Sequence, residues 1–162
     1  MSIARITDNI YIGSIESAVN TKLLDALGVD CIINLSGYTY NTSRKIVNIS
    51  MLDVTVSRET RADYIQKFTF GAAMIDNFVK KENKRVLVHC AAGINRSACL
   101  IAFYLLRKGV RLADVLAVLK RANDSRGVKL FTNGSFITLL QSQAEEIIRS
   151  SPVAQRRVLQ VC

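Results

Sequence analysis

The sequence predicts an α/β fold, with a central, mostly parallel sheet flanked by helices. Three observations carry that expectation. Two short runs, CIINL at 31–35 and RVLVH at 85–89, are almost wholly apolar, as strands covered on both faces of a parallel sheet must be. Segments with apolar residues at helical spacing stand between and after them. Strands alternating with helices in this way build layered α/β architectures. The 162 residues amount to one domain, placed at 1–150, followed by a short basic tail at 151–162. A domain near 150 residues hides roughly 70% of its unfolded surface, enough for a core without disulfides or metal.

Residues 5–13 read as a short strand pair, with Ile10 and Ile12 alternating around Tyr11. Ser14 is placed to cap a helix whose apolar face is Ile15, Ala18, Val19, Leu23, Leu24 and Leu27. Gly28 stops it. The run 31–35 is a buried strand, and 46–52 alternates well enough for another. Thr60-Arg61-Ala62-Asp63 has the pattern of a capping box. It opens a helix whose stripe, from Tyr64 through Phe68, Ala72 and Ile75 to Val79, reaches about residue 80. After the strand at 85–89, helices are expected at 97–106, 112–122 and 134–149, with Asn133 capping the last. The tail is expected to fray.

Composition narrows the function classes. With 49% hydrophobic and 22% charged residues the chain is an ordinary globular one. Its formal net charge of +9 favours acidic partners: nucleic acid, anionic lipid, phosphoprotein or small phosphates. No apolar run reaches the ~18 residues of a membrane span, and neither a secretory signal nor a lipidation motif is expected. Four cysteines without a CxxC pair, beside a single histidine, argue against a zinc site. They point to reduced thiols inside a cell, in cytoplasm or nucleus.

In open α/β sheets ligands bind at the carboxyl ends of the strands. There RVLVH runs into Cys90-Ala91-Ala92-Gly93-Ile94-Asn95-Arg96-Ser97, and an apolar helix follows. A loop of this kind turns backbone N–H groups inward, and the helix N-terminus adds partial positive charge. Gly93 allows a close turn. Arg96 offers a planar fork matching two phosphate oxygens. The result is a nest for a tetrahedral dianion, with Cys90 at its floor. The field that holds phosphate lowers a thiol's pKa from about 8.5 toward roughly 3.5–7.5, and a thiolate there attacks phosphorus in line. Ser97 is placed to stabilise the sulfur as it leaves. His89 is expected to order the loop. A cysteine after a strand is most often a small buried hydrophobe, but H-C-x2-G-x2-R arises by chance here only on the order of 10⁻⁴.

HCAAGINRS resembles the signature of the Cys-dependent protein phosphatases, specifically their dual-specificity branch. ITDNIYIGSIESA, CIINLS and RGVKLFTNGSFITLLQ are similar to other segments of that branch, the last supplying Arg126, Asn133 and Phe136. Small phosphatases of large DNA viruses carry a similar HCAAGxNRS loop, which would place such a protein in a host cell or a virion. The resemblance implies hydrolysis of phosphotyrosine and phosphoserine/threonine monoesters in phosphorylated proteins, through a phosphocysteine. It implies Cys90 as nucleophile, Ala91, Ala92, Gly93, Ile94, Asn95 and Arg96 as the phosphate-binding loop, Ser97 as helper, His89 and Asn133 as supports, and no metal or organic cofactor. It also implies a general acid, a step worth about 10²–10⁴ in rate. Asp53, after the strand at 46–52, is the first choice, though its 37-residue separation from Cys90 is longer than the family's usual spacing. Glu59, 31 residues before Cys90, is the second. Asp63 is better explained as a first-turn helix residue.

Related chemistries leave different marks. Phosphoinositide phosphatases of this kind tend to carry lysine in the loop, where this chain has Ala91, Ala92, Ile94 and Asn95. RNA 5′-triphosphatases often have Asn before the Arg, as Asn95 stands here, and Lys80-Lys81, Lys84-Arg85 and Lys120-Arg121 would suit a nucleic-acid backbone. No aromatic-rich basic stripe accompanies them. A phosphate-reading module without turnover is the third reading. Cys31 begins its strand ~15 Å from the level of Cys90, beyond the ~7 Å that a disulfide spans. Cys99 falls within the following helix, so neither is expected to bridge the nucleophile.

Overall fold

Ile10–Gly13, Cys31–Asn34 and Val86–His89 are buried along their whole length. The sheet they build therefore has no face open to water, which is why its strands read as apolar runs rather than alternating ones. The structure is a computed structural model describing residues 2–151. The predicted tail, with Cys162, lies outside the described residues apart from Ser151.

The elements run β1 (Ile3–Arg5), β2 (Ile10–Gly13), α1 (Ile15–Val19), α2 (Thr21–Leu27), β3 (Cys31–Asn34), β4 (Lys45–Asn48), α3 (Arg61–Asp76), β5 (Val86–His89), α4 (Arg96–Arg107), α5 (Leu112–Asp124) and α6 (Gly134–Ser150). The sheet order is β1-β2-β5-β3-β4. Only β1 runs antiparallel, paired with β2; the other pairings are parallel. The expected α/β fold with a mostly parallel sheet is therefore what the chain adopts.

The strands divide two cores by the two-residue alternation of their side chains. Ile10, Ile12, Ile33, Val86 and Val88 enter the larger one, filled by α3 to α6. Tyr11, Ile32 and Leu87 enter the smaller one, under α1 and α2. Helix α4 is buried at every position from Arg96 to Tyr104, the pattern of a central helix with protein on all sides. Phe68 sits between Phe103 and Phe136, with ring centroids 5.9 and 6.1 Å away, so α3, α4 and α6 lock together through aromatic edges.

Four local expectations change. The single helix over 15–27 is two, because Asn20 leaves helical geometry and its side chain accepts from the Leu23 N–H, capping α2. Ser14 precedes α1 without a side-chain capping bond. The strand expected at 46–52 stops at Asn48; farther on, the Met51 carbonyl accepts from Arg96 and the Leu52 carbonyl from the Tyr64 hydroxyl, which draws the chain off the sheet edge. Thr60 forms no capping box. Its hydroxyl accepts from the Ser57 N–H, and Asp63 pairs with Lys67 instead. The α3 stripe continues past Asp76 as a π-helical turn, Asn77–Lys81, that buries Phe78 completely. Gly28 ends α2 in the left-handed conformation (φ 64°), and Asn133 caps α6 through the Ser135 N–H, both as expected.

Candidate active site

Asn34 of β3 lies opposite His89 of β5, and the Leu35 N–H donates to the His89 carbonyl at 2.9 Å. Both strands thus end at one level, and residues 90–95 fill the gap between β5 and the start of α4. Every carbonyl from Cys90 to Ile94 is engaged. That of Cys90 faces His89 Nδ1, and that of Ala91 accepts from the Ile15 N–H. Those of Ala92 and Gly93 accept from Arg126, and that of Ile94 accepts from the Phe131 N–H. With the acceptors occupied from behind, the N–H groups are left for the concave side. The Gly93 N–H donates to Cys90 Sγ at 3.2 Å. Gly93 has φ +70°, and a Cβ there would lie 2.4 Å from the Gly13 carbonyl oxygen. Only glycine fits that position on both counts.

Cys90 is 1% exposed. Burial pushes its thiol up, yet the balance falls below the ordinary value. The Ser97 hydroxyl, the Ser97 and Ile94 N–H groups and the Arg96 charge outweigh desolvation. The Ser97 Oγ is 3.3 Å from the sulfur. Cys99 sits on α4 with none of this help, and burial alone drives its thiol well above the ordinary range. Cys31 lies opposite Val86, at the far end of β5 from the nucleophile. Arg96 Nη1 donates to the carbonyls of Leu35 and Met51 at 3.0 and 2.9 Å. This fixes the guanidinium plane from one edge, and Nε is left buried with no hydrogen-bond partner. A buried orphan donor is costly; an oxyanion in the nest is the group that would satisfy it.

The sequence left the third component open between Asp53 and Glu59, and the structure brings only Asp53 to the loop. Its Oδ2 is 3.7 Å from Arg96 Nε. Asn95 Nδ2 donates to both its oxygens, at 3.2 and 3.1 Å, and Asn133 Nδ2 donates to Oδ1 at 3.2 Å and to the Val54 carbonyl at 2.9 Å. Asn95 Oδ1 in turn accepts from the Asn133 N–H. Two amides thus clip the segment after β4 to the start of α6. Glu59 is exposed, held below the usual carboxylate range by the Ser57 hydroxyl, and bonds nothing in the loop. Among the described residues no three metal-ligating side chains cluster, and no helix is long and apolar enough to cross a membrane.

The dual-specificity phosphatase catalytic-domain model matches residues 10–145. The chain belongs to that family. Human dual specificity protein phosphatase 4 is 31% identical over 90% of this chain, which spans only 36% of the human protein. The variola virus dual specificity protein phosphatase H1 is 27% identical over 82% of this chain and 73% of its own length. Among solved structures, human DUSP28 superposes with a TM-score of 0.71 at 22% identity, covering 93% of this chain and 97% of its own. The chain therefore spans about a third of the length of the human dual-specificity phosphatase it matches. The match favours neither the RNA-triphosphatase nor the binding-module reading.

Two supports of this dual-specificity phosphatase loop, Tyr40 behind the expected His89 and Arg126, were given no such role from sequence. His89 Nδ1 lies 3.2 Å from the Cys90 carbonyl, so it carries the proton. Nε2 then accepts from the Tyr40 hydroxyl at 2.6 Å. Burial holds His89 neutral, its pKa pushed down to about 4, and raises the Tyr40 phenol to about 12. Tyr40 stands 49 positions before His89 in a polar stretch, GYTYNTS, and nothing in its neighbourhood marked it. Arg126 was visible as a residue of the family pattern; its action, drawing the Ala92 and Gly93 carbonyls back while Asn123 holds its own guanidinium, is legible only in three dimensions.

Proposed function

We propose that this chain is an intracellular phosphatase that hydrolyses phosphotyrosine and phosphoserine/threonine monoesters of proteins through a phosphocysteine. The observation that carries the reading is the loop itself. A buried sulfur with a lowered pKa lies beneath inward N–H groups, and a buried arginine Nε there has no hydrogen-bond partner.

In the first step Cys90 Sγ forms a bond to phosphorus as the ester P–O bond breaks. Arg96 and the loop N–H groups hold the equatorial oxygens, and Asp53 gives its proton to the departing oxygen. In the second, Asp53 takes a proton from water as that water attacks phosphorus. The S–P bond breaks, and the Ser97 hydroxyl, 3.3 Å from the sulfur, donates to the thiolate that reappears. No cofactor enters either step. The cationic loop and the net charge of +9 suit phosphoprotein substrates.

The test is hydrolysis of phenyl phosphate, whose leaving group needs a proton, at pH 6 by wild type, Cys90→Ser and Asp53→Asn. Release should vanish in Cys90→Ser and fall about a hundredfold or more in Asp53→Asn. Undiminished release by Asp53→Asn refutes the acid assignment, and no release by wild type refutes the phosphomonoesterase reading.

A further inference from the structure

We propose that a cavity behind the phosphate loop is a docking site for a second part of the phosphoprotein substrate, an apolar segment flanked by acidic residues. This rests on the phosphatase reading and extends it from the phosphate to the polypeptide that carries it. The cavity is about 600 Å³, formed between α5, the segment after it and the start of α6. That is within the roughly 300–1,000 Å³ of ligand pockets. Leu116, Val128, Leu130, Phe131 and Ile137 make its apolar wall.

Lys120 and Lys129 also line it and are exposed, and among the described residues neither pairs with a carboxylate. Asp124 is the one acid lining it, so the two lysines leave it net positive. The charge decides among occupants. The chain's own segment 152–162 carries Arg156 and Arg157 and no acid, and a second copy would bring another +9; both repel a basic rim. An acidic, apolar peptide complements it.

Position links the cavity to the chemistry. Val128 lines both this cavity and a groove of about 570 Å³ whose other residues include Ala91, Ala92 and Ile94 of the phosphate loop. One polypeptide can thus lie across the groove, pass Val128 and reach the cavity while its phosphate sits over Cys90. The cavity wall also holds the loop from behind. Asn123 fixes Arg126, and Phe131, at φ +57°, gives its N–H to Ile94. A non-glycine residue held in that region marks a position set by its surroundings.

The experiment has two arms. In the first, fluorescence anisotropy follows an unphosphorylated, labelled peptide with two leucines between glutamates, mixed with wild type, Lys120→Glu/Lys129→Glu and Leu116→Arg. The wild type should bind it at least about tenfold more tightly than either variant, with affinity falling as salt rises. In the second, KM is compared for a short phosphotyrosine peptide and the same peptide extended on either side by that segment. One extension should lower KM about tenfold in wild type and not in the variants, while aryl phosphate turnover of the lysine variant stays within twofold of wild type. The lysine pair lies on the surface, so it remains informative if Leu116→Arg does not fold. Equal binding by all three proteins overturns the proposal, as does self-association of the wild type that Leu116→Arg abolishes. Peptide binding without aryl phosphate turnover would uphold the docking site and refute the phosphatase reading. Turnover without peptide binding would do the reverse.

Discussion

At the residue scale the site turns on one sulfur, and the balance acting on it is measurable. Burial opposes the Cys90 thiolate, while hydrogen bonds from Ser97, the loop N–H groups and the Arg96 charge favour it and prevail. Iodoacetamide should therefore inactivate the wild type with a pH midpoint below the free thiol's roughly 8.5. In Ser97→Ala, which removes the first of the favourable contacts, the midpoint should move up. An unchanged midpoint would mean that the hydroxyl does not reach the thiolate. Gly93 is constrained more sharply still. Gly93→Ala adds a left-handed backbone penalty of about 1–2 kcal/mol, and its Cβ would meet the Gly13 carbonyl. We expect it to lower the unfolding free energy read by urea titration by at least that much and to reduce aryl phosphate turnover. A variant as stable as wild type would contradict the close approach of the loop to β2.

At the element scale the geometry that holds Asp53 is what matters. The segment after β4 meets α6 through Asn95 and Asn133, which together give the Asp53 carboxylate three hydrogen bonds. Removing either amide should matter most where the leaving group needs its proton. For Asn133→Ala we expect kcat on phenyl phosphate to fall about tenfold, and kcat on p-nitrophenyl phosphate, whose phenolate leaves unaided, to fall less. Equal losses on both would show a general loop defect rather than a displaced acid. The same elements show what a sequence makes legible. The strands at CIIN and VLVH, helix α4 and the phosphate loop were readable because burial on both faces and a fixed strand–loop–helix order leave contiguous marks. The break at Asn20, the early end of β4 and the Tyr40–His89 bond were not. Each depends on partners that chain separation hides, such as the Met51 and Leu52 carbonyls captured by Arg96 and Tyr64. Asp53 was readable as a candidate and separable from Glu59 only once the loop had drawn it in.

At the scale of the whole molecule, the single histidine couples the site to stability. Burial holds His89 neutral, with a pKa of about 4 against an ordinary 6.5. Between those values the unfolded chain takes a proton that the folded chain refuses. The contribution is therefore complete above pH 6.5 and is lost as pH falls toward about 4. From pH 7 to pH 5 the wild type should lose about 2 kcal/mol more unfolding free energy than His89→Asn, as read by urea titration; parallel losses would mean that the imidazole is not buried neutral. The proposed chemistry stands on a covalent bond between substrate phosphorus and Cys90. Its most direct test is to mix the enzyme with an aryl phosphate, quench in acid within the first turnover and map the modified residue by mass spectrometry. One phosphoryl group is expected, on the Cys90 peptide, at higher occupancy in Ser97→Ala because release is slowed, and absent from Cys90→Ser. Turnover with no phosphoryl group on Cys90 in either the wild type or Ser97→Ala, or with the group on another residue, would contradict it.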